Sequence, residues 1–234
     1  MKLDMARVSA DRRNWVDALG AETRAALLAV GRPRRFLAGA TVYYSTDTPD
    51  GVFLIVSGSA YLQLGRRTGE TLLLRIARQG EVLGELVALD AAPAPIVVSA
   101  RTDLAVISFP RPEFARLRTT YPEIRDALVQ ALSVHLRGSL QLMEEIALLA
   151  LPERARSRLC ILAQEASPLA AGVQPVALDI TQAELASMLA CSRPALNKVL
   201  AALEDAGEIA LRFKVIEVRP GLMDVLRRKT GAIP

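Results

Sequence analysis

Two hydrophobic rhythms divide this chain. Between about Arg34 and Phe109, apolar residues come in short runs punctuated by glycine, several of them β-branched or aromatic. These runs predict strands at Thr41–Tyr44, Val52–Val56, Ala60–Leu64, Thr71–Ile76, Ile96–Ala100 and Leu104–Phe109. Turn signals separate them at Gly39, Asp50-Gly51, Ser57-Gly58, Arg66 to Gly69, Gln79-Gly80 and Ala92-Pro93. Many short strands at such spacing predict a small antiparallel barrel or roll. An amphipathic helix over Val16–Val30 precedes it, with Leu19, Leu27, Leu28 and Val30 as its apolar side. Residues before about Arg13 have little to anchor them.

Beyond Tyr121 the rhythm becomes helical. From Pro122 to Leu151 the only breaker is Gly138, and at about 1.5 Å per residue such a helix spans roughly 40 Å. Val129, Leu132, Leu136, Ser139, Met143, Ile146 and Ala150 alternate three and four apart, the seam of a two-stranded coiled coil with one polar position. A second stripe of Leu128, Ala131, His135, Gly138, Leu142 and Leu149 can lie against the strand domain. Alternatively, both stripes bury one helix inside a monomer. Leu151-Pro152 is expected to break the helix and serve as a hinge, giving parts 1–121, 122–151 and 152–234.

Thr181 to Leu203 reads as two short helices joined by a tight turn. Thr181 followed by Glu184 is a capping box, in which each side chain satisfies an orphan backbone N–H. Leu185 and Leu189 recur at helical spacing, and Ala186 is small enough to admit a second helix. Ser192 is a good N-cap for that helix, and Pro194 is tolerated in a first turn whose N–H groups have no intrahelical partner. Leu196, Val199, Leu200 and Leu203 face inward. Arg193, Asn197 and Lys198 are left outward, with no acid between Leu185 and Leu203. This geometry places a helix in a DNA major groove, where Arg suits guanine, Asn suits adenine and Lys takes a base or phosphate. Thr181, Gln182, Ser192 and Pro194 complete the candidate contact set. The competing reading is an ordinary helical hairpin with a solvated basic face.

Gly207 is a candidate C-cap for the second helix. Ile209–Arg212 and Val215–Val218 then predict a hairpin around Phe213-Lys214, a wing whose Arg212 and Lys214 either touch phosphate or are simply solvated. Gly221 to Lys229 predicts a closing helix. A helix-turn-helix gains most by reading two half-sites about one helical turn apart, so the long-helix seam is read as a dimer contact.

Composition narrows the function classes. The 234 residues have room for two domains, and 51% apolar with 4% aromatic content describes a folded chain. A net charge of +4 and a pI near 9.4 suit nucleic acid without requiring it. No run of about 18 apolar residues and no signal-peptide layout is present, so a cytoplasmic protein without a membrane partner is expected. One histidine and two separated cysteines, Cys160 and Cys191, exclude a histidine-rich zinc site or a four-cysteine cluster within this chain. The cysteines read as packing groups. Gly80-Glu-Val-Leu-Gly84 lacks the phosphate-loop Lys-Ser/Thr, and no helix pattern opens behind it. With no Gly-x-Ser-x-Gly motif either, no enzymatic activity, metal or resident cofactor is expected.

From about residue 30 to 229 the chain resembles the Crp/Fnr family of bacterial transcription regulators. The resemblance is carried by Gly51-Val-Phe-Leu-Ile-Val-Ser-Gly58, Gly80-Glu-Val-Leu-Gly-Glu-Leu86, Ala100-Arg-Thr-Asp103, Tyr121-Pro122, and Gln182 through Leu203. It implies an α+β chain with an antiparallel, jelly-roll-like, cyclic-nucleotide-binding-like β-roll, a long dimerisation helix and a winged helix-turn-helix. It also implies a homodimer on a roughly palindromic promoter site, controlled by a signal sensed in the roll, with RNA polymerase as a candidate partner.

By the same resemblance, Leu83, Gly84, Glu85, Leu86, Pro95, Ile96, His135 and Ser139 outline the effector region. In cyclic-AMP-binding members the Gly-Glu pair contacts the ribose, and an Arg-Ser pair about ten residues on holds the phosphate. Here that place reads Ala92-Pro93-Ala94-Pro95-Ile96, without a cation and with backbone donors removed by proline. Cyclic AMP is therefore not the expected effector, and a constitutive protein or an interaction module stays open. His135 stands at the position resembling the family's adenine-side Arg, where it can bond an effector, ligate haem, sense pH or simply pack. Pro194 replaces a cytosine-reading Glu and Lys198 a second Arg, so the half-site should differ from that of the cyclic-AMP receptor. Ala190 stands where the turn usually carries Gly, at a cost of about 1 kcal/mol if the backbone there is left-handed.

Overall fold

The structure, a computed structural model, describes residues 14–65, 71–212 and 215–223. Their packing separates two units, one running to Ser139 and the other beginning at Leu140. In the first, helix α1 (Ala21–Ala29) leads into β1 (Arg32–Phe36), β2 (Thr41–Tyr43), β3 (Gly51–Ser57), β4 (Ala60–Gly65), β5 (Thr71–Ala77) and β6 (Val82–Leu83). A short helix α2 (Glu85–Asp90), strands β7 (Val97–Ala100) and β8 (Leu104–Pro110), and helix α3 (Arg111–Thr120) follow. The strands form two four-stranded sheets, ordered β1-β8-β3-β6 and β2-β7-β4-β5, with antiparallel pairing throughout. The α+β, jelly-roll-like fold expected from the sequence is the observed one.

Side-chain alternation gives this unit two cores. On β3, Phe53 and Ile55 point into the roll with Leu62, Val98, Leu104 and Val106, while Val52 points to the opposite face. On that face Val52, Val82 and Phe109 meet Leu27, Phe114, Leu117 and the first turns of helix α4 (Pro122–Leu148). A strand buried on both faces has no polar side, which is why Gly51–Ser57 reads as an almost unbroken apolar run. From the second predicted stripe of α4, Leu128 and Ala131 lie in this core together with Ile124. Gly138 does not, since a Cβ there would have no neighbour within 4 Å.

Several boundaries differ from the sequence expectation. The first helix starts at Ala21 rather than Val16, because Gly20 is extended and its N–H is held by Glu123 Oε2 at 3.1 Å. Trp15, Val16 and Leu19 are nevertheless buried, whereas Leu28 of the expected apolar side is exposed. A helix does open behind Gly80–Gly84: α2 begins at Glu85, admitted by a left-handed Gly84 (φ +87°) that suits glycine. Strands β1 and β6 and helix α3 were not anticipated. The arginine-rich β1 becomes a strand through its partner β8, and its edge position tolerates Pro33. The expected turn at Arg66 to Gly69, the residues before Arg13, Lys214 and most of the closing helix lie outside the described residues, with only Pro220–Met223 of that helix seen.

In the second unit, α4 gives way at Leu149–Ala150 to α5 (Leu151–Ala166). Leu151-Pro152 therefore opens the next helix rather than breaking the long one, since a proline in the first turn removes only an orphan donor. Strand β9 (Val176–Leu178), helices α6 (Gln182–Met188) and α7 (Arg193–Asp205), and strands β10 (Ile209–Arg212) and β11 (Val215–Val218) complete the unit, with sheet order β10-β11-β9. Two buried ion pairs tie it together. Glu145 accepts from Ser157 at 2.8 Å and Arg158 at 2.6 Å, and Glu208 takes a two-pronged bond from Arg156 at 2.7 and 3.1 Å.

Candidate nucleic-acid interface and effector region

Helix α6 starts on the capping box read from sequence. Glu184 N–H donates to Thr181 Oγ1 at 3.2 Å, and Thr181 N–H donates to Glu184 Oε2 at 2.6 Å. It stops in a Schellman turn, with Ala190 N–H donating to Ser187 O at 3.3 Å and Cys191 N–H to Ala186 O at 3.1 Å. The left-handed position of that turn is Ala190, at φ +50°. Replacing Ala190 with Gly is expected to stabilise the chain by about 0.5–1 kcal/mol, by removing the Cβ clash at the expense of some chain entropy. Thermal unfolding checks this, and an unchanged or lower midpoint would mean that the alanine is not strained.

Helix α7 is capped by Ser192 Oγ, which accepts Ala195 N–H at 3.3 Å. Leu196, Leu200 and Leu203 are buried and Val199 is half-buried. They seat the helix on Leu185, Ala186, Met188 and Leu189, all buried in turn. Arg193, Pro194, Asn197 and Lys198 remain exposed on the other side, and the first turn holds no acid. The hydroxyls of Thr181 and Ser192 serve the helix caps, and Gln182 is half-buried. Arg212 is exposed but lies 3.7 Å from Glu217, which competes with any phosphate for its charge. The far end of α7 closes in a second Schellman turn on a left-handed Gly207 (φ +71°), with Gly207 N–H to Glu204 O at 2.8 Å and Glu208 N–H to Leu203 O at 2.9 Å. Burial pushes the Cys160 thiol up to about 12, which leaves it inert, and burial likewise raises Cys191.

The coiled-coil seam of α4 lies open in the single chain. Val129, Leu136 and Met143 are 64%, 61% and 66% exposed, Leu132 and Ile146 are half-buried, and Ser139 is exposed. Ala150, the last expected seam position, is off the helix and caps α5 instead. Leu140 and Leu148 add to the apolar surface.

In the roll, the effector-region residues divide. Leu83 and Glu85 are buried and Ile96 packs half-buried on the roll core, while Leu86, Pro95 and Ser139 are exposed. Ser139 donates back to His135 O at 2.9 Å. His135 Nε2 lies 3.4 Å from the Arg75 guanidinium, and Arg75 is paired with Glu81. The sequence reading missed Arg75, Glu81 and Tyr43, which reach this region from β5, the turn after it and β2. Burial pushes Glu85 up to about 7 against the opposing pull of its own backbone N–H and Arg75. Burial, and then the nearby Glu85, also raise Tyr43.

Comparison with known proteins follows this architecture. Residues 33–121 match the cyclic nucleotide-binding domain model, and residues 153–224 match the Crp-like helix-turn-helix domain model. A CRP-like cAMP-activated global transcriptional regulator of Mycobacterium tuberculosis is 29% identical over 194 residues, 82% of this chain and 86% of that protein. The c-di-GMP-responsive global regulator CLP of Xanthomonas campestris superposes with a TM-score of 0.73 at 24% identity, covering 86% of this chain and 99% of that one. A CRP/FNR family regulator from Thermus thermophilus gives 0.65 at 25% identity, covering 82% and 97%. With the roll, the long helix and the winged helix-turn-helix in the same order as in these regulators, the chain belongs to the Crp/Fnr family of transcription regulators.

Proposed function

We propose that this chain is a sequence-specific DNA-binding regulator that acts in the cytoplasm as a homodimer on a roughly palindromic site. The observation that carries this is helix α7, which buries its leucines and sets Arg193, Asn197 and Lys198 together on one exposed face. The open apolar stripe on α4 supports the dimer, because a second copy of the same helix would cover it. No described helix is long and apolar enough to cross a membrane. Exposed Leu169 and Val173, on the segment after α5, are our candidate contacts to RNA polymerase.

Control belongs to the roll, by an effector other than cyclic AMP. The segment Ala92–Ile96 offers no cation for a cyclic phosphate, and Arg75, the cation beside Glu85, is already paired with Glu81. A constitutive regulator is the second reading, favoured by a roll interior filled with Phe53, Ile55, Leu62 and Val98.

The test is selection of DNA sites from a random pool by purified protein, with and without cell extract. Enrichment of a palindrome without extract supports a constitutive regulator, and enrichment only with extract supports an effector. Enrichment in neither condition overturns the DNA-reading proposal. Joint replacement Leu136→Lys and Met143→Lys is expected to give a monomer that loses roughly a hundredfold in affinity for the full palindrome. Sedimentation together with far-UV circular dichroism checks this, and a folded variant that still sediments as a dimer would place the interface elsewhere.

A further inference from the structure

Arg75 is a charge set on the inner side of the roll. It stands opposite Leu62 in the β4–β5 register, and directly opposed residues project to the same face of a sheet. Leu62 lies in the roll core, as do Ala60 and Ala77, which oppose each other two residues along the same strands. The alternation of β5 therefore calls for an apolar side chain at this position, and a guanidinium stands there instead. Arg75 and Glu81 form an ion pair whose side chains are only 20% and 13% exposed. The turn that carries Glu81 is itself fixed. The second carboxylate oxygen accepts Arg78 N–H at 3.2 Å, Gly80 N–H donates to Ile55 O at 2.8 Å, and Ile55 N–H donates to Glu81 O at 2.9 Å. The other prong of the guanidinium, Nη2, reaches His135 Nε2 of α4 at 3.4 Å. A guanidinium has donors only, so His135 accepts there as a neutral imidazole with its proton on Nδ1.

His135 occupies a particular place on the long helix. Ala131, one turn earlier, is buried in the core against the roll, and no residue of α4 from 132 to 141 is buried. Gly138 falls in this stretch, with nothing near its missing side chain and with the weak helix propensity of glycine. The same stretch carries Leu136 and Ser139 of the seam. A mostly desolvated ion pair stabilises a fold no better than apolar packing of the same volume, and what it contributes is a specified arrangement. We propose that Arg75 is a positioning residue: anchored by Glu81, it holds His135 and so sets the orientation of the seam-bearing half of α4. The roll thereby acts on the helix through the chain's own side chains. With the link gone, that half of α4 has to be ordered when DNA binds, and ordering at that step lowers affinity for a full palindrome. A single half-site asks nothing of the seam and should not sense the loss. These DNA consequences rest on the proposed reading of α7 and the dimer seam, whereas the contact itself does not.

The single histidine gives an unambiguous signal in nitrogen-15 NMR of untagged protein at about pH 8.5, above the ordinary histidine range. The expected tautomer has Nε2 unprotonated. Joint replacement Arg75→Leu and Glu81→Leu, which leaves no orphan charge, should release His135 from that fixed tautomer. His135→Leu is expected to bind the palindrome roughly tenfold more weakly, with half-site affinity and sedimentation as a dimer unchanged. His135→Gln should restore the affinity, because its amide oxygen accepts from Arg75. Adding His135→Leu to the Arg75 and Glu81 changes should weaken binding no further, since the link is already absent. Should that joint variant fail to fold, the two His135 variants decide alone. If the wild type selects no DNA site, the DNA reading fails and hydrogen exchange judges the link. Residues 132–139 should then exchange several-fold faster in His135→Leu and recover in His135→Gln. The proposal is overturned by a protonated Nε2 in the wild type or by a tautomer indifferent to the joint change at Arg75 and Glu81. It is equally overturned by palindrome affinity that His135→Leu leaves intact or lowers no more than half-site affinity, by failure of His135→Gln to rescue, or by unchanged exchange where exchange is the judge.

Discussion

Arg193→Ala is expected to narrow sequence preference sharply while leaving weak, salt-dependent DNA binding in place. Arg193 is the first residue of α7, exposed, and oriented by the Ser192 cap and the buried Leu196 one turn on. In the proposed reading, a guanidinium at that position would meet a guanine edge with two parallel hydrogen bonds, worth about 1–3 kcal/mol of discrimination. In a dimer the loss counts twice, so the gap between selected and random DNA should narrow by roughly 30-fold to 10⁴-fold. Lys198→Ala should behave differently if it touches phosphate, weakening all sequences alike and reducing the salt dependence by about one counterion per subunit. Anisotropy titrations on selected and scrambled duplexes at two salt concentrations separate these outcomes. A fully retained preference in Arg193→Ala would remove α7 as the reading helix.

The second large effect concerns Glu145. Its carboxylate is buried at the end of α4 and holds both Ser157 and Arg158 of α5. Arg158 Nε is already without a partner among the described residues, so Glu145→Ala leaves a mostly buried guanidinium with its main counter-charge gone. Breaking one side of such a pair typically costs about 3–5 kcal/mol. For a unit of this size the melting midpoint should fall by roughly 10 °C or more. The companion experiment is the joint change Glu145→Leu and Arg158→Leu, which removes both charges and should recover most of the loss. Calorimetry of the single and double variants decides it. A cost below about 1 kcal/mol for Glu145→Ala would mean that water reaches the guanidinium and the pair behaves as a surface one.

The sequence by itself determined the helix-turn-helix, the roll's strand rhythm and the long helix, because each rests on local rules. A cap residue and its partner lie three apart at Thr181 and Glu184, and apolar residues recur with the helical period at Leu196, Leu200 and Leu203. Ala190 could even be marked as a strained turn residue before its φ was known. What the sequence did not show depends on partners far away along the chain. Arg32–Phe36 is a strand because β8 pairs with it, although its own composition argues for a solvated loop. Arg156 and Glu208 are 52 residues apart, and no local pattern announces their bond. Glu85 was legible as a residue of the effector region, but its unusual state was not. That state arises because the roll buries the side chain, against the pull of its own backbone N–H and of Arg75. Periodicity and capping are properties of neighbouring residues, whereas burial, and the proton affinity it sets, come into being only when the chain closes on itself.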